Sequence, residues 1–152
     1  MLATEHANFR RHALLNFRAN IPFVNLLGFT LHRMENGESE LHYTPKPEHL
    51  NSHGVAHGGA AMTLLDVALS VAARSDTPEH GIVTIEMKST FMVPAKGPLV
   101  AKARRIRRTR SMAFVEGWIY DASGEMCTMA TGTFRYVERK KLDGGTPPMA
   151  TD

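Results

Sequence analysis

The sequence predicts an α+β domain in which an antiparallel sheet wraps around one long central helix. An almost uncharged apolar stretch at residues 58–74 has the length and spacing of a helix. Two strand-like runs precede it and four follow it directly. A helix that is apolar on nearly all faces needs a sheet around it. No repeat or linker divides the chain, so its 152 residues are expected to form one domain.

The first elements are predicted from hydrophobic spacing and turn residues. Residues 5–19 carry apolar side chains at helical spacing, which predicts an amphipathic helix. Leu27–Met34 and Glu38–Tyr43 are predicted to be strands, joined by a hairpin turn at Glu35-Asn36-Gly37. A loop at residues 51–56 then leads into the long helix.

Four further strands follow the long helix, each bounded by turn formers. They are predicted at Ile82–Val93, Leu99–Thr109, Met112–Tyr120 and Cys127–Val137. The domain is expected to span residues 1–137. Residues 138–152 have turn formers and no apolar face, so we expect a flexible tail there.

The composition, with 43% apolar and 22% charged residues, is that of a globular protein. No run approaches the roughly 18 apolar residues of a membrane span. The charged N-terminus has no apolar signal core, so we expect a cytoplasmic protein without membrane association. Cys127 is the only cysteine, which excludes an internal disulfide and a cysteine metal cluster.

The net charge of +3 comes from one short segment. Between residues 102 and 110 there are six basic residues and no acid, and without them 12 basic and 15 acidic residues leave −3. Such a concentration indicates a local anionic ligand, although charges on an exposed strand can also serve solubility. Nucleic acid is not expected, because the segment lacks interleaved aromatic residues.

Two glycines, Gly58 and Gly59, begin the long helix. The first amides of a helix have no internal partner, and the helix dipole makes this end partly positive. Because glycine has no side chain, an oxygen can approach these amides closely. The pair therefore suits an anion, or an oxyanion in a transition state. Relief of crowding at a helix–sheet contact is the alternative.

A single carboxylate, Asp66, interrupts the apolar helix. It is either a structural partner for an arginine or backbone amide, or a general base or nucleophile. Gly58 lies eight residues earlier, which is about 12 Å along the helix axis. If both groups act on one carbonyl, they must come from different copies of the chain. This predicts a composite site across a two-fold dimer.

His57 and Asn51 precede the helix and can hydrogen-bond a ligand. His53 and His57 raise the question of zinc. No cysteine or acid lies nearby in sequence, and Gly54 disfavours the helix that a His-x-x-x-His site needs. We therefore expect no metal.

The segments "LLGF", "LNSHGVAHGGAAMTLLDVA" and "TIEMKSTFMVPA" together resemble the PaaI-like hotdog-fold acyl-CoA thioesterases. Asn51, Gly54, residues 57–59 and Asp66 have the spacing of that family, and the similarity extends from Pro22 to Arg135. The resemblance implies a hotdog dimer with one continuous sheet, often paired into a homotetramer. It implies hydrolysis of acyl-CoA, with no metal and no cofactor besides the coenzyme A of the substrate.

The resemblance also implies catalytic roles. The Gly58 amide would polarise the thioester carbonyl, and Asp66 of the other protomer would activate water or attack directly. Asn51 and His57 would orient the carbonyl or the water, and Thr84 would position the nucleophile.

The resemblance further implies substrate contacts, from Gly59, Phe91, Arg107, Arg108, Arg110 and Ser111. Phe91 would line the acyl pocket, Gly59 would contact the substrate at the helix start, and the others would contact the nucleotide of coenzyme A. Two alternatives stay open: docking of an acidic acyl carrier protein, and a non-catalytic hotdog protein that binds acyl-CoA or acyl carrier protein. The acyl group itself is not predicted.

Overall fold

A computed structural model of the chain describes residues 15–139. Helix α1 spans Pro22–Leu27 and helix α2 spans Gly58–Arg74. The strands are β1 Thr30–Glu35, β2 Glu38–Tyr43, β3 His80–Phe91, β4 Leu99–Arg108, β5 Met112–Tyr120 and β6 Met126–Glu138. They form one sheet in the order β1-β2-β4-β5-β6-β3, and all neighbours are antiparallel. The predicted α+β arrangement is confirmed.

The sheet packs closely against α2 around Leu69, which is fully buried. A methyl group added at Gly117 of β5 would lie 2.6 Å from Leu69 Cδ1, and one at Gly132 of β6 would lie 3.1 Å from Leu69 Cδ2. Two strands therefore lack side chains where the helix presses against them. Within residues 15–139, no helix has the length and apolarity needed to cross a membrane.

The hairpin between β1 and β2 follows the prediction. Asn36 and Gly37 both have positive φ, 52° and 75°, as the tight turns of two-residue hairpins require. The Gly37 amide donates to Ser75 Oγ over 2.7 Å, which ties the turn to the end of α2.

The N-terminal prediction was wrong where the structure describes it. Residues 1–14 of the predicted 5–19 helix lie outside the described residues, and residues 15–19 are not helical. Leu15 instead pairs with Leu31 of β1. The predicted strand at Leu27–Met34 begins only at Thr30, because Pro22 opens helix α1 and Gly28, with φ 82°, ends it. Residues 140–152 of the predicted tail also lie outside the described residues.

Strand β3 forms one edge of the sheet, since it pairs only with β6 within the described chain. It is 12 residues long. Val83, Ile85 and Phe91 on this strand are 44%, 53% and 52% exposed. A long edge with unpaired backbone groups and exposed apolar side chains is a surface that another strand can join.

Arg105 of β4 ties the sheet to the loop after α2. Its two terminal nitrogens each lie 2.7 Å from an oxygen of Asp76, and Nη1 also donates to the Ala73 carbonyl. These hydrogen bonds from Arg105 are the main cause that lowers the pKa of Asp76. The fork–fork geometry favours the ionised carboxylate.

We expect Asp76→Asn to lower the free energy of unfolding by about 1 kcal/mol at pH 7, a value kept small because the carboxylate is partly exposed. Because the pKa of Asp76 is lower in the folded state, its contribution is present above the unfolded pKa of about 3.9 and is lost as pH falls through the folded pKa. Urea titrations at pH 7 and about pH 2 test this. If the wild type and Asp76→Asn differed equally in their free energy of unfolding at both pH values, the ion-pair explanation would be contradicted.

Candidate active site

The N-terminus of α2 has one unused amide. His57 is the N-cap: its Nδ1 accepts from the Gly59 amide over 2.9 Å, and its carbonyl oxygen accepts from the Ala60 and Ala61 amides. The Gly58 amide has no hydrogen-bond partner within residues 15–139. Of the first-turn amides, Gly58 is therefore the one available to a ligand oxygen, at the positive end of a 17-residue helix.

The cap also fixes the donor that His57 offers. Since Nδ1 accepts a hydrogen bond, a neutral imidazole must carry its proton on Nε2. That Nε2–H group is the part of the side chain left to contact a ligand.

Asn51 holds the loop before the helix. Its Oδ1 accepts from the amides of His53 and Val55 over 2.9 and 3.3 Å. Gly54 completes this turn with a φ of 72°. The carboxamide oxygen is thus committed to the loop, and the Nδ2 group is what Asn51 can offer a substrate.

Gly58, Asn51 and Phe91 border a cleft of about 600 Å³, referred to below as the Gly58 cleft. A methyl group on Gly58 would lie 3.5 Å from the Phe91 ring. Phe91 therefore stands beside the start of the helix, and a ligand bound there would contact its ring.

Asp66 lies on a different cavity. The Thr84 hydroxyl of β3 donates to Asp66 Oδ1 over 2.6 Å, so one carboxylate oxygen is held and the other is left without a side-chain partner in the described chain. Both residues border a cavity of about 330 Å³, the Asp66 cavity. Asp66 is half-buried in the single chain. Within one chain, Gly58 and Asp66 therefore face different openings.

We expect Thr84→Val to lower kcat about tenfold, because a hydrogen bond to a charged group is lost while the side-chain shape is kept. Thr84→Ser, which keeps the hydroxyl, should retain most of the activity. The measurement is the steady-state rate of the thioester hydrolysis that the sequence leads us to expect, taken with both variants. Equal losses in the two would show that packing, and not the hydroxyl, is what matters.

The basic segment divides into paired and unpaired arginines. Arg104 bonds Glu116 and Arg105 bonds Asp76. Arg108 lies 3.6 Å from Asp76, with its guanidinium over the Tyr136 ring at 4.4 Å. These three arginines therefore have structural partners. The predicted contact of Arg108 with the nucleotide would compete with its contacts to Asp76 and Tyr136.

Arg107 and Arg110 are exposed and make no ion pair within residues 15–139. Ser111 is exposed in the turn before β5, and its carbonyl accepts from the Tyr136 amide over 2.9 Å. These positions leave Arg107 and Arg110 as the arginines of the segment that are most available to phosphate.

Sequence reasoning missed two arginines that line the same cavity as Asp66. Arg74 and Arg139 border the same cavity. Ser70 and Arg74 follow Asp66 at intervals of four residues, which places all three on one face of α2, and this spacing could have revealed Arg74. Arg139 carried no such local signal.

Comparison with known proteins places the fold in a family. The Thioesterase superfamily model matches residues 53–128, the part of the chain that contains the Gly58 amide, Asp66 and Thr84. A Saccharolobus solfataricus protein named "Putative esterase" is 30% identical over 111 residues, covering 72% of this chain and 74% of its own. A protein of the same name from Archaeoglobus fulgidus is 30% identical over 118 residues, covering 75% and 74%.

Solved structures show the same fold. A conserved protein of Pseudomonas aeruginosa superposes with a TM-score of 0.75 at 24% identity, covering 79% of this chain and 97% of its own. The Escherichia coli PaaI protein from the phenylacetic acid degradation operon gives 0.73 at 21% identity, covering 78% and 86%. A thioesterase family protein of Silicibacter pomeroyi gives 0.73 at 25%, covering 78% and 91%.

These matches confirm the predicted hotdog fold and the predicted resemblance to PaaI-like proteins. They also bear out the coarser functional prediction, that of a hydrolase with a thioesterase fold. The chain therefore belongs to the Thioesterase superfamily.

Proposed function

We propose that this protein hydrolyses acyl-CoA thioesters to a carboxylic acid and free coenzyme A, at a site formed by two protomers of a homodimer. The observation that carries the proposal is the unpartnered Gly58 amide at the start of the same helix that presents Asp66, held by Thr84. One group suits a developing oxyanion and the other suits a base or nucleophile.

The free edge of β3 supports the dimer. Thr84 and Phe91 both lie on this strand, one bonded to Asp66 and the other beside Gly58. Pairing of β3 with its symmetry-related copy would continue the sheet across a two-fold axis and cover Val83 and Ile85. It would also bring the Gly58 cleft of one protomer towards the Asp66 cavity of the other.

In this site the thioester carbonyl oxygen accepts the hydrogen bond of the Gly58 amide. The carboxylate of Asp66 from the other protomer takes a proton from water as that water attacks the carbonyl carbon. Alternatively the carboxylate attacks the carbon itself, and water then hydrolyses the mixed anhydride that remains after the thiolate has left. The helix N-terminus stabilises the negative charge on the oxygen, and the sulfur then leaves as the coenzyme A thiolate. Asn51 Nδ2 and His57 Nε2 are donors that can orient the carbonyl or the water.

Arg107 and Arg110 are proposed to bind the phosphates of coenzyme A, because guanidinium groups match phosphate oxygens and these two are not paired within residues 15–139. An acidic acyl carrier protein would use the same segment. Parallel assays with acyl-CoA and with the matching acyl carrier protein thioester decide between the two carriers.

The rival function is a hotdog protein that binds acyl-CoA without turnover. It is disfavoured by the Asp66–Thr84 pair, which a binding protein does not need. Thiol release from a panel of aryl, phenylacyl and straight-chain acyl-CoAs, with Asp66→Ala alongside, is the test. Turnover by the wild type and its loss in the variant support the hydrolase. Binding of acyl-CoA with no turnover would favour the rival, and unchanged turnover in the variant would refute the role of Asp66.

A further inference from the structure

Two arginines, Arg74 and Arg139, border the end of the Asp66 cavity that lies away from the carboxylate, and a third, Arg18, lies close to them. Arg74 ends helix α2 and is only 7% exposed. Its Nη2 donates to the Phe17 carbonyl over 2.6 Å. Arg139, directly after β6, donates to the carbonyls of Pro78 and Arg18. Every one of these acceptors is a neutral backbone oxygen.

No carboxylate pairs with Arg18, Arg74 or Arg139 within residues 15–139. Glu79, on the adjoining loop, bonds His80 instead. The pKa of Arg74 is lowered, first by burial and then by the positive charges of Arg139 and Arg18. A buried cation beside two like charges is costly unless an anion joins it.

The cavity has opposite character at its two ends. Asp66 and Thr84 border one end, and Arg74 and Arg139 border the other. Val67, Val71 and Ile82 supply apolar surface to the same cavity. Asp66 and Arg74 are eight residues apart on α2, about 12 Å along its axis. These surfaces match a ligand that has a reacting carbonyl at one end, an apolar middle and an anionic group at the other end.

We propose that the Asp66 cavity holds the acyl group and that its arginine end selects acyl groups ending in a second carboxylate, that is, ω-carboxyacyl or carboxyaryl thioesters. This inference rests on the proposed function, since Asp66 must meet the thioester carbonyl. Guanidinium groups bind carboxylates through paired hydrogen bonds, and Arg74 and Arg139 would contact the terminal carboxylate. Its charge would compensate the cations that nothing in the described chain neutralises.

The test compares matched thioesters that differ only at the distal end: adipyl-CoA with hexanoyl-CoA, suberyl-CoA with octanoyl-CoA, and 4-carboxybenzoyl-CoA with benzoyl-CoA. For at least one pair, kcat/KM of the wild type is expected to be about tenfold higher with the carboxylate. Equal values, or preference for the uncharged member in all pairs, would overturn the inference while leaving the thioesterase itself intact.

Arg74→Gln and Arg139→Gln test which residues carry the preference. Each should lower kcat/KM for the carboxylate member about tenfold more than for its partner. Arg33→Gln, on β1 and outside the cavity lining, should leave the ratio unchanged. If the cavity variants lower both members equally, the arginines bind coenzyme A or support the fold, and the inference is wrong.

Calorimetric binding of the free acids separates the inference from the proposed function. Suberate, the expected product, should bind more tightly than octanoate, and Arg74→Gln should remove the difference. Absence of turnover with every thioester would defeat the proposed function, whereas suberate binding that depends on Arg74 would still support the cavity assignment. Failure of suberate to bind more tightly than octanoate would overturn it.

Discussion

Replacement of Asp66 by asparagine is expected to lower kcat for acyl-CoA hydrolysis by about 10²–10⁴-fold, with little change in KM. Asparagine keeps the shape and can still accept the hydrogen bond of Thr84, but it can neither take a proton from water nor attack a carbonyl. Because the substrate-contacting surface is preserved, the loss should appear in the chemical step.

Release of free thiol under saturating acyl-CoA is the measurement. Asp121→Asn is a matched control: Asp121 lies in the turn between β5 and β6, where its Oδ1 accepts from the amides of Ser123 and Glu125, a role that asparagine can keep. This control should retain wild-type kcat. A kcat for Asp66→Asn equal to that of the wild type would remove Asp66 from the mechanism.

Gly58→Pro is expected to lower kcat by about 10²–10³-fold, the effect of losing one oxyanion donor. Proline suits the first position of a helix, and His57 already has the extended conformation, φ −58° and ψ 139°, that precedes a proline. The substitution therefore removes the N–H group with little change in backbone conformation. Gly58→Ala keeps the N–H group and places its methyl 3.5 Å from Phe91, so it should remain active.

Dimers mixed from the Asp66→Asn and Gly58→Pro chains test whether each site is formed by two protomers. A mixed dimer of one Asp66→Asn chain and one Gly58→Pro chain contains one intact site, made from Gly58 of the first chain and Asp66 of the second. Random exchange of the two inactive proteins should therefore restore about a quarter of the wild-type rate. Mixed dimers purified through two different affinity tags should show half of the wild-type rate. Mixed dimers that stay as inactive as their parents would place both groups of each site in one chain.

Helix α2 and strands β2 and β5 begin and end where the sequence predicted. Their signals are local: a glycine pair after a capping histidine, and alternating runs between clear turns. The prediction for the stretch before β1 failed because the six apolar-rich residues that begin at Pro22 carry no decisive period, and a proline can either end one helix or begin another. Arg74 and Arg139 meet only through the tertiary fold, so no local pattern could pair them.

The site residues also divide into those that the sequence alone identified and those that needed the family resemblance or the fold. Gly58 and Asp66 were recognisable because each conflicts with an ordinary apolar helix, one by its missing side chain and the other by its charge. Thr84 entered only through the family resemblance, and the fold brings its hydroxyl to Asp66 from the neighbouring strand. The Arg104–Glu116 pair depends on strand register, and the contacts of Arg105 and Arg108 with Asp76 depend on how the loop after α2 packs against β4; the sequence predicted neither.

The missing side chains at Gly117 and Gly132 let α2 pack closely on the sheet at Leu69. A side chain at either position would come within 2.6 or 3.1 Å of a Leu69 methyl group, so the helix or the leucine would have to shift. Asp66 lies three residues before Leu69 and Gly58 lies eleven before it on the same rigid rod. Two strand glycines thus influence where the Gly58 amide and the Asp66 carboxylate lie. A substitution at either glycine that shifts the helix would displace both groups together, and in the proposed dimer it would disturb both sites.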